Sequence, residues 1–114
     1  MIENTFIQIP GIGEKTEEYL WNKGILSWND LLNKGRIIGL SKNKKRIITD
    51  FLVKANEALN EQNGFFFSQM PQKEYWRLYK NFQNKTVFLD IETTGLSLYY
   101  DDITIIGTFV SSPK

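Results

Sequence analysis

Cysteine and histidine are both missing from this chain of 114 residues. The first absence excludes disulfides and thiolate metal sites and fits a reducing, cytoplasmic setting. The second removes imidazole ligands and imidazole general bases. No apolar run approaches the ~20 residues that span a bilayer. The opening Met1–Pro10 also lacks the basic start and apolar core of a signal peptide, so no membrane partner is expected. Charge of one sign is not in excess either: 14 Lys and Arg against 13 Asp and Glu leave a net charge of +1. Any contact with a polyanion must therefore come from a local patch. What is present is ordinary for an ordered globular chain, with 41% apolar and 14% aromatic residues. The length suits one typical domain or two very small ones.

The order of patterns predicts an α+β chain: a helical domain over 1–63, an aromatic connecting segment with a short helix over 64–85, and the start of a further domain over 86–114, with two strands in 86–110. Ile9-Pro10-Gly11-Ile12-Gly13 precedes a helix-compatible run from Glu14 to Lys23, with Glu14, Glu17 and Glu18 suiting its N-terminal dipole and Gly24 its stop. Ser27-Trp28-Asn29-Asp30 is a capping-box pattern, with Trp28, Leu31 and Leu32 as one apolar face. At an offset of 28 residues, Ile37-Ile38-Gly39-Leu40-Ser41 repeats the first turn in the form Ile-x-Gly-aliphatic-small. A longer helix follows, about Lys42 to Gln62, with Ile48, Phe51, Leu52, Ala55 and Leu59 as its apolar stripe and Asn63-Gly64 as its end. Phe65-Phe66-Phe67 is too apolar for a solvated linker and is expected to pack. Pro71 opens a short helix over Gln72–Phe82, with Tyr75, Tyr79 and Phe82 on one face.

The strand Thr86–Glu92 carries the chemistry. Side chains alternate along a strand, so Asp90 and Glu92 leave the same face about 6.5–7 Å apart. Two carboxylates at that spacing can hold a divalent cation through hard oxygen ligands. Phe88 shares their face, which predicts a covered face. Ile103–Val110 is β-branched and apolar and is the natural antiparallel partner.

Val87-Phe88-Leu89-Asp90-Ile91-Glu92-Thr93-Thr94-Gly95-Leu96, with Asp102-Ile103-Thr104-Ile105-Ile106-Gly107 behind it, closely resembles the first motif of the DEDD 3′–5′ exonucleases of the ribonuclease H-like superfamily. Pro10-Gly11-Ile12-Gly13 resembles a helix–hairpin–helix element. Trp76-Arg77-Leu78-Tyr79 resembles the lead-in of the YprB-type ribonuclease H-like exonucleases, which join such a leader to the nuclease fold. The resemblance implies a helix–hairpin–helix-like bundle followed by the first β-hairpin of an incomplete ribonuclease H-like fold. It further implies metal-dependent 3′–5′ hydrolysis of DNA or RNA, with Asp90 and Glu92 as catalytic metal ligands for Mg²⁺ or Mn²⁺. Thr93, Thr94, Gly95 and Leu96 match positions near the terminal nucleotide. The second and third acidic motifs have no counterpart here, and Asp101 and Asp102 do not replace them. The chain is therefore read as the N-terminal part of such an enzyme, inactive alone and with weak cation affinity. The alternative is a non-catalytic nucleic-acid-binding or interaction module completed by a partner chain or a swapped homodimer.

Two readings stand for Gly11, Gly13 and Lys15: phosphate contact by a glycine hairpin at a helix start, or a tight turn that only plugs Ile12 into the core. Lys42, Lys44, Lys45 and Arg46 read first as a solvated helix face. Their place at a helix start opposes the dipole, however, and a nucleic-acid backbone would relieve the repulsion. Phe65–Phe67, Tyr75, Trp76 and Tyr79 read as packing residues ahead of base stacking. Tyr99 and Tyr100 read as a loop pair ahead of a nucleotide grip.

Overall fold

The computed structural model describes residues 1–110; Ser111 to Lys114, the end of the segment expected over 86–114, lie outside the described residues. The chain divides into two units, Met1–Asn81 and the stretch from Phe82 onward. It is α+β, with helices in the first unit and an antiparallel hairpin in the second. Among the described residues no helix is long and apolar enough to cross a membrane.

The helical unit holds α1 (Glu14–Asn22), α2 (Trp28–Asn33) and α3 (Lys42–Asn60). Both predicted glycine turns are present. Ile12 N–H donates to the Ile9 carbonyl at 3.0 Å and Leu40 N–H to the Ile37 carbonyl at 3.1 Å. Gly11 and Gly39 sit in the left-handed region at φ +82° and +88°. Each turn ends in a cap residue, Gly13 or Ser41, and the helices that follow begin 28 residues apart. The weak repeat in the sequence is thus a repeat of backbone geometry.

α1 stops where Gly24 takes φ +80°. Gly24 N–H donates to Trp21 and Ile25 N–H to Leu20, the paired bonds of a Schellman end. α3 ends the same way one residue earlier than the Asn63-Gly64 signal suggests. Gln62, at φ +54°, is the left-handed residue, with Asn63 N–H donating to Ala58. The Gln62 amide then donates to the carbonyls of Leu59 and Asn81, which ties the end of α3 to the end of the unit.

Ile48, Leu52, Ala55 and Ala58 of α3 are buried together with Leu20 of α1 and with Trp28 and Leu31 of α2. Phe67 stacks on Trp28 at 6.4 Å and Phe66 lies against Phe51 at 5.2 Å. The aromatic segment therefore completes this core, except that Phe65 points outward and is 84% exposed. The helix expected over Gln72–Phe82 is instead a 3₁₀ segment, Gln72–Leu78. With three residues per turn, Tyr75 is displaced from the shared face and stands exposed.

The N-terminal ten residues form a wall of the core. Ile2, Phe6 and Ile9 are essentially inaccessible. The indole of Trp28 donates to the Thr5 carbonyl at 2.7 Å and that of Trp21 to the Asn4 carbonyl at 3.1 Å.

α2 is capped as its sequence predicts. Ser27 Oγ accepts from Asp30 N–H, and the Asp30 carboxylate reaches back to Leu26 N–H at 3.0 Å. The Ser27 hydroxyl and then the Leu26 amide hold the Asp30 carboxyl below its usual range. A lowered folded pKa means that its contribution to stability is complete above the unfolded value and fades as pH falls through the folded one. Wild type should therefore lose stability below about pH 4 more steeply than Asp30→Asn, measured as urea midpoints from pH 2 to 6.

The second unit is a hairpin of β1 (Val87–Thr93) and β2 (Ile103–Val110). The register runs from Val87 opposite Val110 to Glu92 opposite Ile105, then slips so that Thr93 faces Ile103. Thr104 is the extra residue of this bulge, and its hydroxyl donates to the Glu92 carbonyl.

Candidate metal centre and nucleic-acid interface

Asp90 and Glu92 sit on one face of β1. Residues directly opposite in an antiparallel pair share a face, so the acidic face also carries Phe109, Gly107 and Ile105. Gly107 stands opposite Asp90, and the carboxylate has no side chain beside it on the neighbouring strand. A Cβ at that position would come 3.9 Å from the Asp90 Cβ. Phe88 and Phe109 close one end of this gap with ring centroids 6.1 Å apart. They leave a hollow of about 290 Å³ beside Asp90 and Gly107. At the other end the bulge sits next to Glu92; bulges increase local twist and re-aim neighbouring side chains.

The expectation that the face shared by Phe88, Asp90 and Glu92 is covered is not met. Every residue of β1 is exposed, and so are Ile103, Ile105, Ile106, Phe109 and Val110 of β2. The hairpin exposes apolar side chains on both faces. Alternation alone shows which side chains share a face, but it contains nothing about what lies above it.

The loop between the strands is built around Asp101. Its carboxylate accepts from the Thr94 hydroxyl at 3.0 Å and from Ser97 N–H at 2.8 Å. Thr94 Oγ1 in turn accepts from Asp102 N–H, and Thr93 Oγ1 donates to the Gly95 carbonyl. Three of the four residues matched to substrate contact, Thr93, Thr94 and Gly95, are thus also parts of the loop's own scaffold. Leu96 is fully exposed, with Leu98, Tyr99 and Tyr100 nearly so. Gly95 has no room for a side chain, since an added Cβ would lie 2.5 Å from the Asp101 carboxylate. Gly95→Ala should therefore displace Asp101 and lower the local opening free energy by about 1–3 kcal/mol. Faster amide exchange at Ser97, with the helical unit unchanged, is the expected reading.

The basic residues belong to the helical unit. It holds twelve cations and nine acids, whereas the stretch from Phe82 onward holds two cations and four acids, which leaves +3 and −2. Between Asp30 and Asp50 there are six cations and no acid. Lys42 and Arg46 are exposed, and Lys44 and Lys45 half-buried, at the start of α3. Lys15 and Lys44 line one hollow together with Gly39 and Leu40. Gly11 and Gly13 are exposed on the first turn.

The first turn's helix is acidic where the second's is basic. Glu14 pairs with Lys73, and that ammonium holds the Glu14 carboxyl below its usual range. Glu17 is not a solvent-facing dipole partner but a buried one, 3% exposed. Its Oε2 accepts from the Thr5 hydroxyl, from Phe6 N–H at 2.6 Å and from Ile7 N–H at 3.0 Å. Its Oε1 meets Arg77 at 3.3 Å, and that guanidinium also pairs with Glu74 and lies over the rings of Trp21 and Trp76. Sequence reasoning missed this pin; its one local signal was an acid falling among the core positions of α1.

For a cation, Asp90 and Glu92 offer the hard oxygen chemistry that Mg²⁺ and Mn²⁺ prefer. Among the described residues no third His, Cys, Asp or Glu joins them. Two carboxylates alone would supply only part of the oxygen shell such an ion takes. Comparison of the chain with protein-family models, curated proteins and solved structures gave no match.

Proposed function

We propose that the hairpin carries the first part of the metal site of a metal-dependent 3′–5′ nuclease, and that the helical unit holds nucleic-acid backbone. The observation that carries this reading is the placement of Asp90 and Glu92. They lie side by side on an exposed strand face, open at Gly107 and bordered by a bulge. The resemblance of residues 87–107 to the first DEDD exonuclease motif agrees with that placement. Asp90 and Glu92 would ligate Mg²⁺ or Mn²⁺, which polarises the phosphoryl oxygen and lowers the pKa of a bound water. The protein's own contribution is to hold both carboxylates on a stiff strand and to keep the adjoining loop in one shape through Asp101.

Two carboxylates undercompensate the charge of a metal pair, so the 114-residue chain alone should not degrade nucleic acid. Incubation of a labelled single-stranded oligonucleotide with Mg²⁺ or Mn²⁺ should leave it intact over hours. Release of mononucleotides by wild type, lost in Asp90→Ala, would show that these residues suffice for catalysis.

A second reading is favoured by the apolar exposure of both hairpin faces: a binding module completed by another chain or by a second copy. A two-stranded hairpin is marginal alone, and its free edges offer pairing sites. Light scattering after size exclusion tests the second-copy form of this reading, because a concentration-independent monomer with a protected hairpin excludes a swapped dimer.

A further inference from the structure

We propose that the helical unit carries a track for single-stranded nucleic acid, centred on its second glycine turn and not on its first. This rests on the nucleic-acid reading above but not on its metal chemistry.

The two turns have the same backbone and opposite chemistry. At the first, Ile9 and Ile12 are buried, as Ile37 is in the second, but the helix opens on exposed Glu14 and Glu18 beside Lys15, so a phosphate there would meet carboxylates. At the second, Ile38 is 79% exposed, and the helix opens on Lys42, Lys44, Lys45 and Arg46. Cations at a helix start repel one another and oppose the dipole. Among the described residues none of these four enters an ion pair. Neutralisation by an external polyanion would remove both penalties.

The surface around this turn is continuous. A hollow of about 470 Å³ is walled by Arg36, Lys42 and Lys45 over a floor of Ile37 and Leu40. It shares Arg36 and Ile37 with a neighbouring hollow that carries Lys23 and Lys34. It shares Leu40 with the hollow of Lys15 and Lys44, and Lys42 with one that reaches Arg46. None of the four has a carboxylate in its wall. Gly39 keeps the bend tight: its φ is left-handed, and a Cβ there would come 3.2 Å from the Tyr19 hydroxyl.

Cations alternating with apolar and aromatic surface suit a flexible strand, whose phosphates meet the charges while its bases meet Ile38, Leu40 and Tyr19. A stiff duplex presents phosphates alone to such a surface and cannot follow a belt bent around one turn.

The test is fluorescence anisotropy of a labelled 20-nucleotide oligothymidylate with the full chain, in EDTA, from 20 to 200 mM salt. A failed metal site leaves this measurement untouched. Combined Arg36→Ala, Lys42→Ala and Lys45→Ala should weaken binding at least tenfold and reduce the salt slope by about two, at roughly 0.7 per phosphate contact. An unchanged circular dichroism spectrum controls for folding. Gly13→Ala, where a Cβ meets nothing within 4 Å, and Lys73→Ala should each stay within twofold of wild type. The proposal is overturned by no binding at 20 mM salt, by a tenfold preference for a matched duplex, or by loss in Gly13→Ala with the triple variant unchanged.

Discussion

Glu17→Ala should destabilise the helical unit by about 3–5 kcal/mol, the cost of removing one partner from a buried, hydrogen-bonded ion pair. The carboxylate satisfies the Thr5 hydroxyl and the amides of Phe6 and Ile7. In its absence the buried donors of Thr5 and Phe6 lose their acceptor, and Arg77 keeps Glu74 as its one carboxylate partner among the described residues. Each orphaned donor costs about 1–3 kcal/mol, so the total exceeds the net worth of any one bond. Glu17→Gln keeps one acceptor oxygen and loses the charge, and should fall between wild type and alanine. Urea denaturation followed by tryptophan fluorescence reads the difference. A loss under 1 kcal/mol for alanine would mean that residues 5–7 find other partners.

The second large effect concerns the strand. Combining Asp90→Asn with Glu92→Gln should weaken Mn²⁺ binding at least tenfold from a millimolar starting point, the range of weakly charged oxygen sites. Either single change should account for most of it, because one carboxylate cannot clamp an ion alone. Both side chains are exposed, so the same substitutions should alter unfolding free energy by no more than about 0.5 kcal/mol. Affinity lost without stability lost separates a ligand role from a structural one. Calorimetric titration of the wild type and the three variants gives the first limit, and urea denaturation of the same four proteins gives the second.

What could be read from the sequence follows the range of the interactions concerned. Gly24 as a stop, Ser27 and Asp30 as a cap, and the two turns at Gly11 and Gly39 depend on neighbours within five residues, and the folded chain has each of them. The shared face of Asp90 and Glu92 likewise follows from the two-residue period. Distant partners are not encoded in such patterns. Glu17 meets Arg77 sixty residues away, and the end of α3 is fixed at Gln62 by a bond to Asn81. The 3₁₀ path over Gln72–Leu78 was hidden because its apolar spacing also suits an α-helix over a single turn. The cover expected over Phe88 failed for a different reason: alternation assigns a face and says nothing of the layer above it. The scaffold role of Asp101 has no sequence signature, because it depends on the loop folding its carboxylate to where a Gly95 side chain would be.

The most direct test of the metal site is a titration of ¹⁵N-labelled chain with substoichiometric Mn²⁺, read as paramagnetic broadening of individual amides. The account predicts that Leu89–Thr93 and, across the strands, Ile106–Thr108 broaden first, and that Asp90→Asn abolishes the effect. Broadening centred on Asp101 and Asp102, or spread evenly over the surface acids, would contradict it.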